Sequence, residues 1–136
     1  MTDETNSDPR EAVSEWTRET YDKAVQEIMS LGVLADELVE ARPIWTLPYR
    51  MIIGQARESN VHATFTWIIC GDVPTDHISS TVASTPRDAA RYFSLKWQLD
   101  ATRCNEPAQA ETLAAKAEEV YEIVEDEDLW PDSGNL

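Results

Sequence analysis

The sequence predicts an α+β domain: an N-terminal helix, an antiparallel β-hairpin or three-stranded meander, and two C-terminal helices packed on one face of the sheet. Three observations carry this. Apolar residues recur at three and four over residues 9–31, the period of one helical stripe. They then alternate with polar residues between Ile44 and Ile69, the period of a strand. Two further helical patterns follow, each opened by a proline at the first helical position, Pro86 and Pro107. Helix, then hairpin or meander, then two helices is the order of an α+β domain with helices covering one face of a small antiparallel sheet.

In the first helix Asp8 is placed to cap, Pro9 suits the first turn, and Glu11 completes a capping box. Val13, Trp16, Thr20, Ala24, Ile28 and Leu31 form its expected buried stripe, and Gly32 supplies a left-handed stop. A short helical piece, ADELVEA, is expected before Pro43. Trp45, Leu47, Tyr49, Met51 and Ile53 then read as one strand, and Val61, Ala63, Phe65, Trp67 and Ile69 as its partner across a Glu58-Ser59-Asn60 turn. Pro48 cannot donate to a ladder, so the first strand lies at an edge or is broken there. Ile78, Ser80 and Val82 allow a weak third strand. In the second helix Thr85 caps, and Ala89, Tyr92, Phe93, Lys96, Leu99 and Arg103 share a broad face from which Trp97 departs. In the third, Ala110, Leu113, Ala117, Val120, Tyr121 and Val124 line one side. A single domain over residues 8–125 is expected, between a disordered tail at 1–7 and an acidic tail at 126–136.

Charge is distributed unevenly along the 136 residues. Residues 1–40 hold 11 acidic and 3 basic side chains, residues 41–104 hold 5 and 7, and residues 105–136 hold 10 and 1. The net of −15 therefore lies on the flanks. It argues against direct nucleic-acid binding, because phosphates are repelled, and it is compatible with a basic protein partner. A nucleic-acid mimic is a third reading, and it requires carboxylates at phosphate-like spacing. No apolar run approaches the ~20 residues that span a bilayer. The acidic start MTDETNSD does not read as a signal or transit peptide, so a cytoplasmic location is expected. Cys70 and Cys104 share no metal-ligand spacing and read as reduced thiols. No cofactor or metal is expected.

Three stretches carry candidate sites. CGDVPTDH brings Cys70, Asp72, Asp76 and His77 into what reads as a loop of about fifteen residues, and loops that long are often functional. Cys, His and Asp ligate metals, and Cys with His makes a nucleophile and base. Gly71, Asp72, Pro74 and Asp76 are equally what a turn requires, and that reading carries more weight. The start of the second helix, STPRDAAR, combines exposed N–H groups with Arg87 and Arg91, an arrangement suited to a carboxylate or phosphate. Pairing of those arginines with the chain's own acids competes with it. EDEDLWPD places Trp130 after an acidic run, as a docking peptide does, or as a tail whose tryptophan folds back. Trp97, off its helix's main face, is the other candidate partner contact.

The runs TWIICGDVPTDHI and TPRDAARYFSLKWQ resemble the bacterial domain-of-unknown-function family 4826. The matching residues are Trp67, Gly71, Asp72, Pro74, Thr75, Asp76, Pro86, Arg87, Ala89, Trp97 and Gln98. The resemblance implies a stand-alone bacterial cytoplasmic protein and assigns no activity. The residues themselves favour a noncatalytic acidic interaction module: an adaptor, inhibitor or immunity-type protein. The alternative is a small enzyme or anion-binding domain with a pocket between the 71–85 loop and the helix starting at Pro86.

Overall fold

A computed structural model describes residues 8–32, 38–58 and 64–130. In chain order the elements are α1 (Pro9–Ser30), β1 (Leu38–Leu47), β2 (Met51–Glu58), β3 (Thr66–Gly71), β4 (Asp76–Ser79), α2 (Pro86–Arg103) and α3 (Pro107–Glu125), with 3-10 turns at Ser80–Val82 and Glu127–Leu129. The strands form one meander in the order β1-β2-β3-β4, and β1–β2 and β2–β3 pair antiparallel. The α+β class stands. Contacts divide the chain into two compact units, one ending at His77 and the other starting at Ile78. The expected tail at 1–7, the start of the expected helical piece (35–37), the turn residues Ser59 and Asn60, the expected strand residues Val61 and Ala63, His62 and the end of the acidic tail (131–136) lie outside the described residues.

In the N-terminal unit, α1 is capped by Asp8, whose carboxylate accepts the Arg10 N–H at 2.9 Å. Hydrogen bonds from Arg10 hold the Asp8 carboxyl below its ordinary range. Gly32 ends the helix at φ 79. The stripe that α1 buries is Tyr21, Ala24, Val25 and Ile28, packed with Ile52, Ala56, Ile68 and Cys70 of β2 and β3. Leu31, expected inside, is 67% exposed because the helix has already ended.

Two strand readings are corrected. Leu38–Ala41 of the expected helical piece belong to β1, where Glu40 and Ala41 lie opposite Arg57 and Ala56. Pairing decides this segment, which by propensity alone is a good helix former. The expected first strand is in fact two, since the chain reverses at Pro48–Arg50 and Leu47 lies opposite Met51. The Arg50 N–H donates to the Leu47 carbonyl at 2.9 Å. Pro48 at the second position and Tyr49 at φ 64 in the third follow the type II pattern, which glycine usually completes. A tyrosine in left-handed backbone costs ~1–2 kcal/mol. Its ring contact with Trp16 of α1, centroids 5.3 Å apart, offsets part of that.

Glycine decides the sheet at two places. A Cβ at Gly54 would overlap the Tyr21 ring, which lies across β2 and donates its hydroxyl to the Gln55 carbonyl at 2.9 Å. Gly71, at φ 118, lies so close to the β1–β2 turn that a Cβ would sit 2.8 Å from the Arg50 carbonyl oxygen. Met51–Ile53 and Trp67–Cys70 are each buried without interruption, so both faces of β2 and β3 are covered.

In the C-terminal unit, Thr85 caps α2 by accepting the Asp88 N–H at 3.0 Å. α2 packs against α3; the residues α2 buries are Ala89, Ala90, Phe93, Ser94 and Trp97, and those α3 buries are Ala117, Val120, Ile123 and Val124. The expected face is thus rotated: Trp97 is inside, while Tyr92 and Leu99 are out. Ser94 obscured the pattern. It is buried because its hydroxyl donates to the Ala117 carbonyl at 2.8 Å, which lets a polar residue occupy the helix contact. In α3, likewise, Ile123 is buried where Tyr121 was expected.

Gly54→Ala is expected to lower stability by ~1–3 kcal/mol through overpacking. In the Tyr21→Ala background the same substitution should cost far less, because the clashing ring is gone. Urea denaturation of the two single variants and the double variant measures this coupling.

Candidate functional site

The CGDVPTDH stretch is mostly ordered structure. Asp76 and His77 open β4, and Ser80–Val82 form a 3-10 turn, so the fifteen-residue loop reduces to short connections. That removes loop length as an argument for function. Cys70, one residue before the end of β3, is buried. The Asp72 N–H donates to the Arg50 carbonyl at 2.9 Å, tying the turn to the β1–β2 hairpin. Asp76 accepts the His77 N–H through Oδ1 at 2.8 Å, and both residues are half-buried. Asp72 is exposed. Among the described residues no group of three His, Cys, Asp or Glu side chains is placed to hold a metal ion.

Burial in the α1–sheet core pushes the Cys70 thiol up to about 12, with the Glu27 carboxylate adding to the effect. The Tyr21 hydroxyl is raised for the same reason, chiefly burial. A thiolate is the reactive form, so Cys70 is chemically quiet.

Arg87 and Arg91 lie in the first turns of α2 and take different roles. The Arg87 guanidinium donates through Nε to the Val124 carbonyl at 2.9 Å. Val124 is in the last turn of α3, whose carbonyls have no partner within the helix. Arg87 therefore caps α3 and sets a positive charge at the negative end of its dipole. Arg91 pairs with Asp88 at 2.7 Å on the surface.

The same helix end organises the start of the acidic tail. Trp130 folds back and donates its indole N–H to the Ile123 carbonyl at 2.9 Å, and that carbonyl also accepts the Asp126 N–H. Trp130 is 5% exposed and Trp97 is 1% exposed. Trp97 packs against Phe93 with ring centroids 6.0 Å apart. The two tryptophans considered as partner contacts are thus interior rings, because each fills space beside α3 or within the α2–α3 unit.

What remains at the surface is different. Glu118, Glu122 and Glu125 follow one another at i, i+4 and i+7 on an exposed face of α3, beside Tyr121, which is 49% exposed. Asp126, Glu127 and Asp128 continue this acidic surface beyond the helix. Sequence reasoning placed Tyr121 inside, and the available signal was its carboxylate neighbours on both sides.

A helix over a four-stranded meander, and a helical pair closed by a returning tail, define a small α+β protein whose exposed carboxylates lie along α1 and at the end of α3. The chain belongs to the family described as a domain of unknown function, DUF4826, which matches residues 10–130. The resemblance of the 66–78 and 85–98 stretches is confirmed by that match. No curated protein and no solved structure matches the chain. No helix among the described residues is long and apolar enough to cross a membrane.

Arg87→Ala is expected to cost ~1.5–3 kcal/mol, the loss of a charged hydrogen bond. Arg91→Ala should stay within ~1 kcal/mol, as surface ion pairs do. Thermal denaturation separates the two. A second expectation concerns alkali. Cys70 and Tyr21 have folded values above their ordinary 9.0 and 10.0, so their contribution is intact below pH 9 and is lost as pH rises through the folded values. Stability should therefore fall above pH 9, and Cys70→Ala should flatten that fall, as read by urea midpoints at successive pH values.

Proposed function

We propose that this protein is a noncatalytic, acidic protein-interaction module of the bacterial cytoplasm, serving as an adaptor, inhibitor or immunity-type protein for a basic partner. The observation that supports it best is the end of α3: Glu118, Glu122 and Glu125 ranged on an exposed face beside Tyr121 and continued by Asp126, Glu127 and Asp128. An exposed aromatic among carboxylates supplies an anchor together with a steering field. The internal caps from Arg87 and Trp130 hold this surface in one conformation, which lowers the ordering cost of binding. The net charge of −15 raises the encounter rate with a basic surface.

Copurification from the native lysate at low and at high salt tests this. A stoichiometric basic protein, lost at high salt and lost with Tyr121→Ala/Glu122→Gln, is the expected result. Recovery of no partner at either salt counts against the reading. His77→Ala and Asp76→Ala are expected to leave cellular function intact. Loss of function in a folded His77→Ala protein would favour the enzymatic alternative.

A further inference from the structure

The outer face of α2 carries an apolar stripe. Tyr92, Leu95 and Leu99 are 40%, 55% and 55% exposed, on the side of the helix away from the buried Phe93 and Trp97. Together with Lys96, Asp100 and Arg103 they line a shallow hollow. Large apolar residues at i, i+3 and i+7 on a rigid helix are the pattern by which one helix anchors to another.

The charges bounding the stripe indicate its occupant. Asp88, Tyr92, Leu95, Leu99 and Arg103 follow one another at intervals of four, three, four and four, so they lie along one line of α2. From its N-terminal end the line reads acid, aromatic, leucine, leucine, base. It is complementary to its own reverse. When two copies are laid antiparallel, Asp88 of one faces Arg103 of the other, Tyr92 faces Leu99, and Leu95 meets its own copy beside the two-fold axis. A two-fold contact requires this self-complementarity of a single patch. The flank adds no net charge, since Lys96 pairs with Asp100 at 3.5 Å on the same helix. The chain's acidity does not oppose the contact locally either: Pro86–Arg103 carries four basic and two acidic side chains. Antiparallel alignment also sets opposite helix dipoles side by side.

We infer that the Tyr92–Leu95–Leu99 face of α2 is a homodimerisation surface on which a second copy of this chain docks with α2 antiparallel to α2. One helix face buries less than the ~1,600 Å² of a standard interface, so the dimer is weak and concentration-dependent. The inference goes beyond the proposed interaction role, since it concerns α2 and not the acidic end of α3. It is tested on purified protein with no partner present, so either reading can fail while the other stands.

The test is sedimentation equilibrium of the full chain over a range reaching about 1 mM, at about 0.15 M and 0.5 M salt, where long-range repulsion between acidic copies is screened. The expected result is a reversible monomer–dimer equilibrium. Leu99→Glu should weaken it at least ~10-fold, a large effect for one buried charge at an interface. Helical circular dichroism should be unchanged, because Leu99 is already exposed. Arg103→Glu should weaken it less, and Asp88→Lys/Arg103→Glu should restore it, since the pair is exchanged and not removed. A monomer at every concentration and salt would overturn the inference and leave the stripe to a different protein. A dimer indifferent to Leu99→Glu would overturn it too, as would a double charge exchange that fails to restore association in a folded protein.

Discussion

Tyr21 and Gly54 set the geometry of the N-terminal unit. The ring of Tyr21 lies where any other residue at position 54 would place a Cβ, and its hydroxyl reaches the neighbouring Gln55 carbonyl. That single contact brings α1 down onto β2. Ala24, Val25 and Ile28 then meet Ile52, Ala56, Ile68 and Cys70 at packing distance. Gly71 repeats the device at the sheet's end, where the close approach of β3 to the Arg50 carbonyl holds the β1–β2 turn and the start of the β3–β4 connection together. Gly54 makes room for a ring and Gly71 for a neighbouring backbone. They explain why a chain with only four glycines sets two of them within or at the end of central strands.

The C-terminal unit depends on satisfying one helix end. The carbonyls in the last turn of α3 receive the Arg87 guanidinium, the Trp130 indole and the Asp126 amide. Each donor comes from outside the helix, so together they fasten the start of α2 and the beginning of the acidic tail to α3. Function, in the reading proposed here, follows from what this leaves exposed. With Trp97 and Trp130 inside, the aromatic surface that the C-terminal unit offers to partners is Tyr121 among carboxylates on α3 and Tyr92 on α2. The α2 stripe lies on a helix with four basic and two acidic side chains, in contrast to the acidic flanks.

The helices were legible because their termini carry local chemistry: Asp8 and Thr85 at caps, Pro9, Pro86 and Pro107 at first positions, Gly32 at a stop. The antiparallel pairing of β2 with β3 was legible as well, but β1 as a separate strand was not, and its Leu38–Ala41 start reads as helix by propensity. Pro48 was recognised as a break, yet Tyr49 hid the turn, since nothing in a tyrosine announces positive φ; the Trp16 ring that supports it comes from another element. The buried face of α2 is hidden from the sequence for a related reason. Ser94 is inside only because the Ala117 carbonyl is there to accept its hydroxyl, and hydropathy along one helix cannot register an acceptor on the next.

Local sequence therefore determined the α+β class, the helix ends, the acidic flanks and the turn character of Gly71–Asp76. These depend on interactions between residues a few positions apart. Only the tertiary structure decided which tryptophans are interior, that Arg87 caps α3 and binds no acid of its own helix there, and that Tyr92, Leu95 and Leu99 face outward. Those outcomes rest on partners about twenty to forty residues away, such as Val124 for Arg87 and Ala117 for Ser94. A periodicity read along the chain carries no information about a carbonyl that reaches the site from another helix.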